Sequence, residues 1–109
     1  MAKDRKSPSV FGLRLREART RLGIPQDKLG VMIGLDEGSA SARISRYETG
    51  EHEPPYATAQ NLAEVLKVPV AYLYCDDDEL AELILLLGDT EKGVTDEVKS
   101  LLESKKVTS

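Results

Sequence analysis

The stretch Gln26-Asp27-Lys28-Leu29-Gly30-Val31-Met32-Ile33-Gly34-Leu35, followed by Arg43-Ile44-Ser45-Arg46-Tyr47-Glu48-Thr49-Gly50, decides how this chain is read. Pro25, whose fixed φ suits a first helical turn, opens a short helix with Leu29, Met32 and Ile33 on its apolar side. Gly34 and Leu35 end it. Asp36-Glu37-Gly38-Ser39 is polar and turn-forming. The next helix is expected to begin near Ser39 to Ser41, with either serine as N-cap. Ile44 and Tyr47 then point inward at i, i+3, and Gly50 stops it.

Helical periodicity continues outward on both sides. Phe11, Leu15, Ala18 and Leu22 form one stripe of a first helix, from Ser9 or Val10 to Leu22, which Gly23 ends as a left-handed cap. Pro54-Pro55 enforces an extended connection. A fourth helix follows from Tyr56 to Lys67, with Ala59, Leu62, Ala63 and Leu66 inward, and Pro69 starts a short fifth helix ending near Tyr74. Asp76-Asp77-Asp78-Glu79 stands at the N-terminus of a sixth helix, where the helix dipole favours negative charge. Residues 80–87 of that helix are almost wholly apolar. A last helix is expected from Thr95, as its cap, to Lys105, with Val98, Leu101 and Leu102 on one side. No strand pattern and no repeat is visible, so the fold class is all-α.

At 109 residues and 40% hydrophobic, the chain predicts one compact core. No apolar run approaches the ~18 residues of a membrane span. Residues 1–9 are a basic arm with Lys3, Arg5 and Lys6 and no apolar signal core behind it, so a cytoplasmic setting is expected. The single cysteine, Cys75, cannot close a disulfide within the chain. With one histidine, His52, a structural zinc site is not expected either. No nucleophile–base pair or phosphate loop is present, which argues against an enzyme and against a cofactor.

The net charge of −4 conceals an asymmetry. Residues 1–50 carry ten Lys/Arg against six Asp/Glu, and residues 51–109 carry five against thirteen. A basic working surface on an acidic scaffold is the physical reading, and phosphate binding depends on where the basic groups lie. Arg14, Arg16, Arg19 and Arg21 of the first helix, with Lys28, are expected to enlarge that surface.

The Gln-x-x-Leu start, the Gly turn, the Ile-Ser-Arg-x-Glu-x-Gly ending and the Pro-led fourth helix all occur in register. Together they resemble the phage Cro and repressor proteins, the XRE family, and the likeness extends from Phe11-Gly12 to Tyr74. The resemblance implies a five-helix repressor-like helix-turn-helix DNA-binding domain over residues 10–75, here with extra C-terminal helices over 76–109. It implies that Gln26 contacts phosphate and supports the recognition helix, that Ser41, Ala42 and Arg46 read bases, and that Ser39, Arg43 and Ser45 flank them. It also implies a partly buried Arg19–Glu48 ion pair between the first and third helices. The helical spacing independently leaves Ser41, Ala42, Arg43, Ser45 and Arg46 facing away from Ile44 and Tyr47 as an open, positive surface fit for a major groove. Asp36 to Arg43 makes eight residues before Ile44, four more than the family pattern. Either a longer turn or an added turn of the third helix accommodates them.

The sixth helix carries Leu80, Leu83, Ile84 and Leu87 on one face, with Leu85 and Leu86 beside it. Such a helix needs cover on most sides, and a second subunit is the expected cover, making 76–109 a dimerisation extension. The function expected is a homodimeric, sequence-specific regulator, a repressor occupying a palindromic double-stranded DNA operator in a bacterial or phage setting. Two alternatives are an antitoxin whose acidic half also grips a toxin protein, and a protein-interaction module without DNA binding.

Overall fold

The computed structural model describes residues 9–107, and within them the chain is entirely helical. The helices are α1 (Val10–Leu22), α2 (Gln26–Met32), α3 (Glu37–Thr49), α4 (Tyr56–Leu66), α5 (Val70–Leu73), α6 (Asp78–Gly88) and α7 (Lys92–Ser104). The arm expected at residues 1–9 lies, apart from Ser9, outside the described residues. Ser9 itself caps α1, its hydroxyl accepting from the Gly12 amide at 2.9 Å.

The core is the set of stripes that helical periodicity isolates. Phe11, Leu15 and Ala18 of α1, Leu29 of α2, Ile44 and Tyr47 of α3, Ala59, Leu62, Ala63 and Leu66 of α4, and Tyr72 and Leu73 of α5 are all buried. Phe11 also packs its ring against Tyr74 at 5.2 Å between centroids. Gly23 ends α1 in the left-handed conformation, as expected. At the end of α4 the same conformation falls on Lys67, with φ 62°, so that helix stops one residue early.

Two helix starts differ from expectation. α3 begins at Glu37, with Asp36 as N-cap, so Ser39 and Ser41 lie inside the helix and neither caps it. The four additional residues therefore extend α3 at its N-terminal end. The reason is packing: Ala40, which a loop would expose, is fully buried against Gly30 of α2. α7 likewise begins at Lys92. The Thr95 hydroxyl donates to the Glu91 carbonyl one turn back, as an interior threonine does, instead of capping a helix.

α6 starts where its acids predict. Asp77 is the N-cap, accepting from the Leu80 amide at 2.9 Å, and Asp78 and Glu79 occupy the first turn. Ala81 is buried, and Ile84 and Leu85 pack on the five-helix core. Leu80, Leu83, Leu86 and Leu87 stay exposed. α7 buries none of its residues and leaves Val94, Leu101 and Leu102 in solvent. The radius of gyration, 16.2 Å, reflects this projection; a compact chain of this size has about 13 Å.

Candidate nucleic-acid interface

α2 and α3 meet closely because of one residue. A Cβ built on Gly30 would stand 2.5 Å from the Ala40 Cβ, so only glycine lets the two helices approach this far. The turn between them is held by Gly34, whose φ of 97° suits glycine, and by the Leu35 amide donating to the Gly30 carbonyl at 2.9 Å. Leu29 and Ile44 are fully buried beneath, with Ile33 and Leu35 packed against them.

This geometry fixes which face of α3 is free. Ala40, Ile44, Tyr47 and Glu48 point into the protein. Ser39, Ser41, Ala42, Arg43 and Arg46 are exposed, and Ser45 is half-buried. Ala42, Ser45, Arg46 and Thr49 follow one another at i, i+3, i+4 and i+7 along the outer face, with Arg43 and Ser41 flanking it. Small side chains between two arginines leave room for base edges to approach, and a guanidinium is the fork that pairs with guanine O6 and N7.

A chain of polar contacts anchors this face from behind. Arg19 grips Glu48 with two bonds, Nε to Oε2 at 2.5 Å and Nη2 to Oε1 at 3.2 Å, and its third nitrogen donates to the Ile24 carbonyl at 3.0 Å. Gln26 donates its side-chain amide to the same Glu48 carboxylate at 3.0 Å and accepts from the Ser41 hydroxyl at 3.4 Å. α1, the start of α2 and the recognition face of α3 are thereby tied into one unit. Gln26, which the family pattern pairs with phosphate, is half-buried and at the edge of this face.

The basic surface is smaller than its sequence suggested. Arg19 is committed to Glu48, and Arg14 is 7% exposed, bonded to the Cys75 carbonyl, Glu17 and Asp78. Arg21 lies over the Tyr72 ring at 5.8 Å. Burial opposes the charge of Arg14, but its bonds to Asp78 and Glu17 more than offset this and hold its pKa above the ordinary arginine value. The sequence reading missed that Glu37 and Gly38 belong to the same helix as the recognition residues. The signal was Ala40 at a spacing that continues the Ile44 and Tyr47 stripe back by one turn.

No group of three or more His, Cys, Asp or Glu among the described residues could hold a metal ion. No described helix is long and apolar enough to cross a membrane.

Comparison with known proteins agrees with this geometry. The helix-turn-helix family model matches residues 15–73. HTH-type transcriptional regulators of Sinorhizobium medicae and Rhizobium meliloti are each 32% identical over 80 residues, covering 70% of this chain and 55% of theirs. The chain thus spans about half the length of these curated relatives. The crystal structure of the transcriptional regulator BswR is similar at 47% identity with a TM-score of 0.82, covering 85% of this chain and 92% of that one. A matching family model, a shared fold and an open arginine-bearing α3 lead to one conclusion: the chain belongs to the XRE-type helix-turn-helix family of DNA-binding transcriptional regulators.

Proposed function

We propose that this protein is a cytoplasmic repressor that binds a palindromic operator as a homodimer, with α3 of each protomer in a major groove. The observation that carries the reading is the outer face of α3. Ser41, Ala42, Arg43 and Arg46 are exposed there, while Glu48 and Gln26 hold the helix from its inner side. Base reading falls to Arg46 and Arg43, with Ser39, Ser41 and Ser45 as shorter polar contacts and Ala42 meeting thymine methyl groups. Gln26 reaches a phosphate at the groove edge. Nothing in this reading requires catalysis or a cofactor: occupancy of a promoter is the activity.

The dimer is supported by the exposed leucines of α6. Leu80, Leu83 and Leu87 share a face, with Leu86 beside it, and α7 adds Val94, Leu101 and Leu102. An apolar band of this kind seeks cover. A two-fold dimer supplies that cover and presents two recognition helices about 34 Å apart.

The test is selection of binding sites from a random duplex library, with the Arg43→Ala/Arg46→Ala protein alongside. Enrichment of a two-fold symmetric motif by the unmodified protein alone is the expected result. No enrichment at low salt from folded protein would remove the DNA-binding reading. Co-purification of a basic protein on the acidic α6–α7 half would favour the antitoxin alternative over a simple repressor.

A further inference from the structure

We propose that Arg14 is a positioning residue that sets the angle between the DNA-binding unit and α6, and thereby the half-site spacing that the dimer accepts. The proposal rests on the dimer reading above.

Arg14 is a buried cation on α1 that takes no part in the recognition face. Its guanidinium serves three separate places. Nε donates to the Cys75 carbonyl at 2.8 Å, Nη1 to Glu17 at 3.1 Å, and Nη2 to Asp78 at 2.9 Å. Glu17 belongs to α1, Cys75 to the link between α5 and α6, and Asp78 to the first turn of α6. The same guanidinium lies 5.6 Å from the centre of the Tyr72 ring, whose hydroxyl donates to Glu17 at 3.0 Å. The cation is thus clamped between α1, α5, the link and α6.

Besides this clamp, α6 rests on the core through Ala81, Ile84 and Leu85, and its last residue, Gly88, lies against the Pro69 ring. Apolar contacts of this kind are non-directional and tolerate sliding. A planar guanidinium with three acceptors is directional, and a lysine could not satisfy the same set. The lever is long enough to matter. α6 has 11 residues, about 16 Å, so a tilt of about 12° moves its far end about 3.4 Å, one base-pair step. A dimer built on α6 and α7 passes that displacement on to the distance between its recognition helices. Arg14 therefore acts on operator spacing without touching DNA.

The test measures that distance directly in the full chain. A nitroxide is placed on α3 through Glu37→Cys, an exposed position outside the proposed base contacts, in a Cys75→Ser background, which keeps the Cys75 backbone carbonyl. The intermolecular distance distribution is then recorded by pulsed electron spin resonance. Wild-type Arg14 is expected to give one narrow distance. Arg14→Met is expected to widen the distribution at least about twofold, with Arg14→Lys and Asp78→Asn in between, and to flatten the preference for one operator spacing over its one-base-pair neighbours from about tenfold to under about threefold. A merely structural role would lower the unfolding midpoint and leave the width unchanged. Wild-type widths for both Arg14→Met and Asp78→Asn in a dimer would overturn the proposal. The exposed Asp78→Asn decides the matter alone if Arg14→Met fails to fold. Absence of any intermolecular signal from the labelled Arg14 protein would instead overturn the dimer reading, and this proposal with it.

Discussion

Glu48 accepts the Gln26 side-chain amide at 3.0 Å while Arg19 grips the same carboxylate from α1. One buried acid at the end of α3 thus joins α1, α2 and α3. Its side chain is 5% exposed and that of Arg19 13%, so removing either leaves the other charge in a poorly solvated site. Arg19→Ala or Glu48→Ala is expected to cost roughly 3–5 kcal/mol. Urea unfolding checks this, and a loss below about 1 kcal/mol, the range of a surface pair, would show that the pair is dispensable.

Gly30 and Gly38 should respond oppositely to the same substitution. Alanine at Gly30 drives its Cβ into Ala40 of α3, and the overpacking should outweigh the helix-propensity gain, for a net loss of about 1–2 kcal/mol. Alanine at Gly38 meets open space and should gain up to about 0.5–1 kcal/mol. Thermal melts of the two variants decide it. A more stable Gly30→Ala would mean that α2 and α3 can separate without penalty.

Leu83 is 54% exposed on α6. Leu83→Asp should change the stability of the folded unit by only about 0.5 kcal/mol while reducing the mass in light scattering to that of the 12.0 kDa chain. An unaltered dimer mass would move the interface away from this face of α6.

Tyr72 is buried, and its phenol is held protonated above the ordinary tyrosine range, first by burial and then by its bond to Glu17. Tyr74, which is 43% exposed, is also raised, by partial desolvation and then by the nearby Glu53. An unfolded tyrosine loses its proton near pH 10, before the folded one does. The stability the Tyr72 phenol contributes is therefore complete below about pH 10 and is lost as the pH rises towards its folded value. Between pH 9 and pH 11, Tyr72→Phe should lose less stability than the unmodified protein in urea melts. Equal losses would show that Tyr72 ionises without consequence for the fold.

The sequence by itself determined the helices and most of the core. Phe11, Leu15 and Ala18, or Leu62 and Leu66, recur at helical spacing, and a helix with an apolar stripe has to bury it. Gly23 and Gly50 marked helix ends because few other residues take the left-handed conformation cheaply. The Arg19–Glu48 pair came from the family resemblance, and the structure holds it as a double hydrogen bond.

Only the tertiary structure decided what the polar residues do. Asp36 to Ser41 offer several local starts for α3. Burial of Ala40 against Gly30, an approach between two helices, selected the one that makes α3 a turn longer. The four arginines of α1 look alike in sequence, yet Arg14 is buried by a carbonyl 61 residues away and Arg19 by a carboxylate 29 residues away. Apolar periodicity is a local property of the chain, whereas the partner of a charge depends on which distant segment folds against it.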